Sequence, residues 1–176
     1  MEEEIVRIPA ERVKILLGKD GQTKELIEKK CSITLKVDSE GEVGIKGESE
    51  NVFLYKDVII AIGRGFNPQK ALKLANPDYQ LYLFHLKEHL PNEKAIKRIK
   101  GRIIGQEGKM RGEIEHATEC DLSVFGNTVG IIAKMDTLEY AKEAVEMLIN
   151  GAKHSTIYSV LAKSKRKIME NRLKGQ

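Results

Sequence analysis

The stretch RIIGQEGKMRG, residues 102–112, decides the fold that we predict for this chain. It carries a GxxG pattern at Gly105 and Gly108, and apolar residues recur at helical spacing on both sides of it. A tight turn between two helices favours glycine, which adopts positive φ angles and has no Cβ atom. We therefore expect two helices joined at the GxxG pattern.

This pattern belongs to an internal repeat, which predicts two copies of one supersecondary unit. The segment ILLGKDG, residues 15–21, aligns with it, and the same offset carries Ile27-Glu28 onto Ile114-Glu115. Further along, we align CSITL, residues 31–35, with CDLSV, residues 120–124, which requires two extra residues in the second copy.

Both copies have the same predicted order of elements, β-α-α-β-β-α. Alternating apolar residues indicate strands, and apolar residues three and four apart indicate helices. In the first copy we expect a strand over 5–8, helices over 10–17 and 21–30, strands over 33–37 and 43–45, and a helix from Val52 that ends at Gly63 or Gly65. In the second copy we expect a strand over 81–86, helices over 93–104 and up to Thr118, strands over 122–124 and 129–133, and a helix over 138–149. The predicted fold class is α+β, with a three-stranded, largely antiparallel sheet and three helices on one of its faces in each copy.

The chain is predicted to divide into four segments. The first module covers 1–66, and a linker with a short helix covers 67–80, where Asn-Pro pairs mark turns at both ends. The second module covers 81–152, and a basic C-terminal helix covers 153–176.

The composition and the lack of recognisable catalytic or metal-binding motifs argue against an enzyme. The net charge is only +4, and the four histidines follow no metal-ligand spacing. No Walker pattern occurs, because Gly108-Lys109 is followed by methionine. We expect no cofactor, no metal, and two reduced, buried thiols at Cys31 and Cys120. The acidic N-terminus does not resemble a signal peptide and the apolar runs are short, so we expect a cytoplasmic protein without membrane segments.

The GxxG turns are the candidate nucleic-acid sites. Glycines let a phosphodiester approach the main chain, and the following helix N-terminus favours an anion. The predicted RNA-binding residues are Gly18, Lys19, Asp20, Gly21 and Lys24 in the first copy, and Lys100, Arg102, Ile104, Gly105, Gln106, Glu107, Gly108, Lys109 and Arg111 in the second. Bases are expected over apolar grooves lined by Leu16, Leu17 and Ile33, and by Ile103, Ile104 and Leu122.

Charge distribution favours the second turn as the stronger site. Between Lys94 and Arg111 the chain has seven basic residues and one acidic residue, Glu107. Around the first turn, Glu11 and Asp20 offset the basic residues. Aromatic residues make up only 5% of the chain, so base stacking on aromatic rings is not expected to dominate.

The residues now quoted resemble a known family. Both turns are similar to the Ile-Gly-x-x-Gly signature of KH domains, and the element order resembles the type I topology. The linker segment AIGRGFNP, residues 61–68, and GRIIG, residues 101–105, resemble the small-subunit rRNA-processing KH proteins of the KRR-like, partner-of-Nob family, in an archaeal form. At Lys24 and Arg111 the sequence departs from the apolar residue common in KH domains.

This resemblance implies a ribosome-assembly factor. It implies binding of single-stranded RNA from the 3′ region of small-subunit rRNA, with the rRNA-trimming endonuclease and a translation initiation factor subunit as partners. Two alternatives stay open from the residues alone. One is a protein-interaction scaffold that uses KH folds without RNA, and the other is a single-stranded DNA binder, because contacts to the 2′-hydroxyl are not visible in a sequence.

Overall fold

A computed structural model describes residues 1–175, which form two compact units, the first covering Met1–Leu81 and the second beginning at Tyr82. The predicted linker over 67–80 falls within the first unit, and the C-terminal helix falls within the second. Gln176, the last residue of the predicted C-terminal segment, lies outside the described residues. Among residues 1–175, no helix combines the length and the apolar character needed to cross a membrane.

The first unit has the predicted element order. Its elements are β1 (Glu2–Arg7), α1 (Ala10–Leu17), α2 (Gln22–Cys31), β2 (Ile33–Val37), β3 (Glu42–Gly47), α3 (Ser49–Gly63) and α4 (Pro68–Ala71), followed by a 3₁₀ turn at Leu72–Ala75. The strand order is β1-β3-β2 and both pairings are antiparallel. Gly65, at φ +99°, follows the end of α3, so the helix stops at the first of the two glycines that the sequence offered.

The core of the first unit lies between the sheet and its helices. Strand residues Leu35, Val43 and Ile45 alternate with exposed or half-buried neighbours, which is the pattern of a sheet with one covered face. They are buried together with Ile27 of α2 and Ile59 of α3. This packing fixes α1 and α2, and therefore the turn between them, against a rigid sheet.

The second unit repeats this architecture with two additions. Its elements are β4 (Tyr79–His85), α5 (Leu86–His89), α6 (Glu93–Ile104), α7 (Lys109–Thr118), β5 (Asp121–Phe125), β6 (Thr128–Lys134), α8 (Leu138–Ile149) and α9 (His154–Leu173). The strand order is β4-β6-β5, which matches the order of the first sheet. The short helix α5 was not predicted, and α9 packs against α7 and α8 through Ile157, Leu161 and Ile168. The three-stranded sheets, the helices and the C-terminal helix confirm the predicted fold class.

The two copies stay in register further than the sequence alignment proposed. The helices α2 and α7 end at residues with left-handed backbone, Ser32 (φ +52°) and Glu119 (φ +54°), which are 87 positions apart like the glycines before them. Cys31 therefore corresponds to Thr118, and both are fully buried at the last position of their helix. Our alignment of Cys31 with Cys120 through two extra residues was wrong.

The length difference between the copies lies instead in the hairpin of each sheet. Val37 pairs with Val43 in the first copy, and Val124 pairs with Val129 in the second. The second hairpin is therefore one residue shorter, with Gly126 at φ +54° in its turn. An Asp38 side chain that accepts two backbone N–H groups, from Glu40 and Glu42, stabilises the longer turn of the first copy.

Candidate nucleic-acid interface

The two GxxG turns have nearly the same backbone geometry. In the second turn Gly105 has φ 73° and ψ 176°, Glu107 has φ 53° and ψ 29°, and Gly108 has φ 76° and ψ 13°. In the first turn Gly18, Asp20 and Gly21 lie within about 12° of these angles. The turn geometry is therefore a property of the repeated unit rather than of one copy.

The two glycines of each turn are required for different reasons. A Cβ atom on Gly105 would lie 2.7 Å from the backbone nitrogen of Met110, and one on Gly18 would lie 2.1 Å from Thr23 Oγ1. The first glycine therefore lets two helices approach. A Cβ atom on Gly108 would meet no protein atom within 4 Å, so the space beside this glycine is open to a ligand.

The helix that follows the second turn has no side chain at its N-terminus to accept its free N–H groups. Gly108 is the N-cap of α7 and provides no side-chain cap, and Gly21 stands in the same position before α2. By contrast, Asn92 Oδ1 accepts the Ala95 N–H group at the start of α6. The uncapped N–H groups of α7 and their dipole favour an anion beside Gly108.

The charged side chains around the second turn differ in their exposure and in their partners. Lys109 is exposed and Lys100 is half-buried, while Gln106 and Glu107 are exposed within the turn itself. Arg111 is engaged on its own helix, where its Nε lies 3.7 Å from Glu115 Oε1. Lys109 is therefore the cation of the turn with the greatest freedom to meet a phosphate.

The first turn repeats part of this arrangement. Lys24 lies at the position equivalent to Arg111, and its Nζ is 3.8 Å from Glu28 Oε1. Lys19 and Asp20 are both exposed within the turn, so their charges offset each other. The first turn is therefore close to neutral at its tip.

A half-buried glutamate holds each second helix to the neighbouring strand through a hydrogen bond. Glu28 Oε1 accepts the Leu35 N–H group at 2.7 Å, and Glu115 Oε1 accepts the Leu122 N–H group at 2.9 Å. These bonds fix the angle between the helix that starts at the turn and the strand beside the groove. In the sequence both glutamates are recognised only as part of the repeat, although each lies seven residues before a strand leucine, which is a visible signal.

An arginine holds the first helix of each module to the end of the third helix. Arg102 donates to Leu148 O at 3.2 Å and to Ala152 O, and Arg12 donates to Ile62 O at 2.8 Å and to Phe66 O at 2.7 Å. When the two modules are aligned, the accepting carbonyls occupy equivalent positions, whereas the two arginines are offset by three residues. Burial lowers the pKa of Arg12 despite the neighbouring Glu11. Arg102, predicted to bind RNA, therefore has a positioning contact in this structure.

The structure corrects the predicted lining of the apolar grooves. Leu16 and Ile33 are 0% and 5% exposed, and Ile103 and Leu122 are 0% and 1% exposed. These four side chains are core residues because their helix and strand faces point between the helices and the sheet. In contrast, Leu17 and Ile104, beside the first glycines, are half-buried, so they are the groove residues that a base can reach.

The basic residues on α6 form an exposed surface that leads to the second turn. Lys94, Lys97 and Arg98 are exposed, while Ile96, Ile99 and Ile103 are buried on the opposite side of the helix. The cations are therefore available to a polyanion near the turn rather than tied to the core.

Reactive thiols and metal clusters do not compete with this interface. Burial raises the pKa of both Cys31 and Cys120 to about 11, which keeps them as neutral thiols near pH 7. Within residues 1–175 there is no group of three or more histidine, cysteine, aspartate and glutamate side chains placed to hold a metal ion.

Comparison with protein families places the chain in a class. Residues 81–166 match the model of the second KH domain of the PNO1 type, described as a eukaryotic-type (type I) KH domain, and residues 2–61 match the general KH-domain model. The chain is therefore a tandem KH-domain protein.

Similar proteins narrow the class to one family. The chain is 42% identical over 174 residues to the KH domain-containing protein MJ0443 of Methanocaldococcus jannaschii, covering 96% of this chain and 77% of the relative. It is 30% identical over 109 residues to the pre-rRNA-processing protein PNO1 of Chaetomium thermophilum, covering 60% of this chain and 42% of the relative. The chain belongs to the archaeal KH-domain proteins that are homologous to the PNO1/Dim2 family of rRNA-processing proteins. It spans less than half the length of the PNO1 relative.

A solved structure of this family is closely similar. A chain in the crystal structure of the a/eIF2alpha-aDim2p-rRNA complex from Pyrococcus horikoshii OT3 is 39% identical and superposes with a TM-score of 0.87. The match covers 94% of this chain and 95% of that one.

Proposed function

We propose that this protein binds single-stranded RNA from the 3′ region of small-subunit rRNA and acts as a pre-rRNA-processing factor in ribosome assembly. The observation that carries the proposal is the second GxxG turn, with open space at Gly108 and an uncapped helix N-terminus behind it. The similar proteins support RNA as the ligand, because one is a pre-rRNA-processing protein and one was crystallised in a complex with rRNA.

The proposed binding mode follows from the turn. A phosphodiester lies over Gly105 and Gly108, where backbone N–H groups of α7 donate to it and Lys109 supplies a positive charge. The bases then lie beside Ile104, and their edges face backbone groups of the neighbouring strand. A KH turn of this type clamps about four nucleotides.

The predicted site residues keep different roles in this proposal. Gly105, Gln106, Glu107, Gly108 and Lys109 line the turn, with Lys100 and Arg111 beside it. In the first module, Gly18, Lys19, Asp20, Gly21 and Lys24 form a second, weaker RNA site, because the helix before this turn has a net charge of only +1 whereas α6 has five basic residues and one acidic residue.

Protein partners are also part of the proposal. The similarity to a chain crystallised with a/eIF2alpha supports a translation initiation factor subunit as a partner. We further propose contact with the endonuclease that trims the rRNA, as the family resemblance implies. Within this proposal the protein is not itself an enzyme, and it acts in the cytoplasm.

A binding titration tests the function. Fluorescence anisotropy would compare a labelled single-stranded RNA from the small-subunit rRNA 3′ end with a scrambled RNA and with the DNA version. We expect the rRNA sequence to bind tightest. Binding of all three ligands with equal affinity would contradict the proposal, and preference for DNA would favour the alternative of a single-stranded DNA binder.

Two matched variants assign the site. Gln106 and Lys19 are exposed and occupy the same position in the two turns, so Gln106→Asp and Lys19→Gln each lower the charge beside one clamp by one unit. We expect Gln106→Asp to weaken RNA binding more than Lys19→Gln does. If neither variant changes RNA binding while both stay folded, the protein-scaffold alternative is favoured.

A further inference from the structure

The solvent face of α9 carries cations that the GxxG clamps do not use. Lys163, Arg166 and Lys167 are exposed and lie three and four residues apart, so their side chains form one row on the helix. None of the three makes an ion pair with another side chain among residues 1–175. The face opposite them, with Ile157, Leu161 and Ile168, is the one that packs on the module.

The helix α9 has a large excess of basic residues. Between His154 and Leu173 there are five basic residues and one acidic residue, Glu170, which gives a net charge of +4. The formal net charge of the whole chain is also +4, so the remaining sequence is balanced. The helix α6 has the same excess, with five basic residues and one acidic residue, so α6 and α9 are the two strongly cationic helices of the second module.

Structural roles account for only part of this charge. The Lys165 Nζ lies 3.0 Å from His116 Nε2, and Arg172 forms an ion pair with Glu119, so these two cations attach α9 to α7. The row at Lys163, Arg166 and Lys167 lies in the middle of the helix, too far from the last turn for the helix dipole to favour it. Like charges three and four residues apart repel each other, which destabilises an isolated helix. Fold stability therefore does not explain the row, whereas a bound polyanion would neutralise it.

The position of α9 relates the row to the second turn. His154 Nε2 lies 3.1 Å from Arg102 O, so α9 begins beside the end of α6, which leads directly into Gly105. Lys163 is nine residues further along α9, about 14 Å at the rise of an α-helix. A few nucleotides of single-stranded RNA beyond the clamped segment are long enough to span this distance.

We propose that the row formed by Lys163, Arg166 and Lys167 binds the phosphodiester backbone of RNA that flanks the segment clamped at the second GxxG turn. This inference rests on the proposed function and extends it, because it makes the second module a binder with two RNA surfaces. The groove provides the base contacts, and the α9 row provides affinity for the backbone without sequence preference.

The test compares RNA length with charge removal in the full chain. Anisotropy titrations would use an RNA of about four nucleotides, the length that the clamp holds, and an RNA of about twenty nucleotides with the same four at one end. A third RNA would carry a hairpin in place of the single-stranded extension, to separate single-stranded from duplex backbone. The variant Lys163→Gln/Lys167→Gln removes two cations and keeps helix propensity.

We expect the variant to bind an extended RNA about tenfold more weakly at 0.1 M salt. The slope of the logarithm of the binding constant against the logarithm of the salt concentration should be smaller in magnitude by about 1.4, as expected when two phosphate contacts to a single strand are lost. Binding of the short RNA should stay unchanged. The control Lys29→Gln/Lys30→Gln removes the same charge from exposed positions on α2 and should leave both affinities unchanged. Glu170→Gln should strengthen binding of the extended RNA.

The outcomes separate the two proposals. Loss of extended-RNA affinity only in the α9 variant supports the inference, and the single-stranded and hairpin arms show which backbone it binds. If short RNA binds and the α9 variant behaves like its control with both extensions, the inference is overturned while the clamp stands. If the short RNA binds to neither protein, the proposed function itself fails. The unfolding midpoint of the α9 variant should be equal to or slightly above that of the original chain, which excludes misfolding as the cause.

Discussion

Replacing each glycine of the second turn by alanine in turn should separate effects on fold stability from effects on RNA binding. Gly105 adopts φ 73° and ψ 176°, a region that is essentially restricted to glycine, and its added Cβ would lie 2.7 Å from the Met110 nitrogen. Gly108 adopts left-handed backbone with no protein atom within 4 Å of an added Cβ. We therefore expect Gly105→Ala to damage the fold and Gly108→Ala to damage the ligand site.

The magnitudes follow from the backbone and the contacts. At Gly105 the backbone strain alone costs about 1–3 kcal/mol. Since a backbone atom cannot move aside easily, the clash with Met110 increases the expected loss of unfolding free energy to about 3 kcal/mol or more. At Gly108 the left-handed conformation costs an alanine about 1 kcal/mol, and no clash is added.

Urea denaturation and RNA titration together measure the two effects. Gly108→Ala should unfold at slightly lower urea yet bind RNA at least about tenfold more weakly, because the methyl group occupies the open space beside the phosphate. Gly21→Ala, at the equivalent position of the first turn, is the matched control and should affect RNA binding less. Unchanged RNA affinity in a folded Gly108→Ala protein would refute the reasoning that the turn contacts the backbone.

Three further outcomes test the supports of the site. Arg102→Ala should lower the unfolding free energy by about 2–4 kcal/mol, because two carbonyls lose a charged donor; a change below 0.5 kcal/mol, by urea denaturation, would show that the contact is unimportant. Glu115→Ala should cost about 1–2 kcal/mol through the unpaired Leu122 N–H group, whereas Glu113→Ala, on the exposed side of the same helix, should cost about 0.5 kcal/mol or less by the same assay. Burial raises the pKa of Cys31 and Cys120 to about 11 from 9.0, so the folded state keeps protons that the unfolded chain releases. The stability that the neutral thiols contribute is present below about pH 9 and is lost toward pH 11. Over this range the urea midpoint of Cys31→Ala/Cys120→Ala should therefore fall less steeply with pH than that of the original chain. Parallel curves for the two proteins would contradict this.

Local pattern in the sequence was sufficient to predict most elements. The helix α6 was predicted with the bounds that it has, since its apolar residues recur at helical spacing and Asn92 caps its start. The turn at Gly126-Asn127 was also correct, because glycine before a polar residue favours the tight turn of a hairpin. These signals act over a few residues, so they are visible without the tertiary structure.

Signals that depend on tertiary contacts were missed or misplaced. The identity of Cys31 and Cys120 suggested a false alignment, whereas the true register depends on the carboxylate bonds from Glu28 and Glu115. Too many residues were predicted to line the grooves for a similar reason. An apolar residue beside a turn, such as Ile103, faces either the core or the groove, and only the packing of α6 decides between them.

The arginine contacts show a further limit of sequence analysis. Arg12 and Arg102 reach corresponding carbonyls from positions that do not align, so the repeat itself hides their common role. A long guanidinium side chain reaches a given carbonyl from more than one turn of a helix, and its partner is about 50 residues away in sequence. The RNA contact of Arg102 stays a prediction, and the structure adds two hydrogen bonds from its guanidinium to backbone carbonyls.

The most direct test of the central claim, that the second GxxG turn holds the RNA backbone, is an amide NMR titration of the full chain with a short single-stranded RNA from the rRNA 3′ end. We predict the largest shift changes at Gly105 to Met110, with smaller changes at Gly18 to Gln22. Changes concentrated elsewhere, with the amides of both turns unmoved at saturating RNA, would contradict the account.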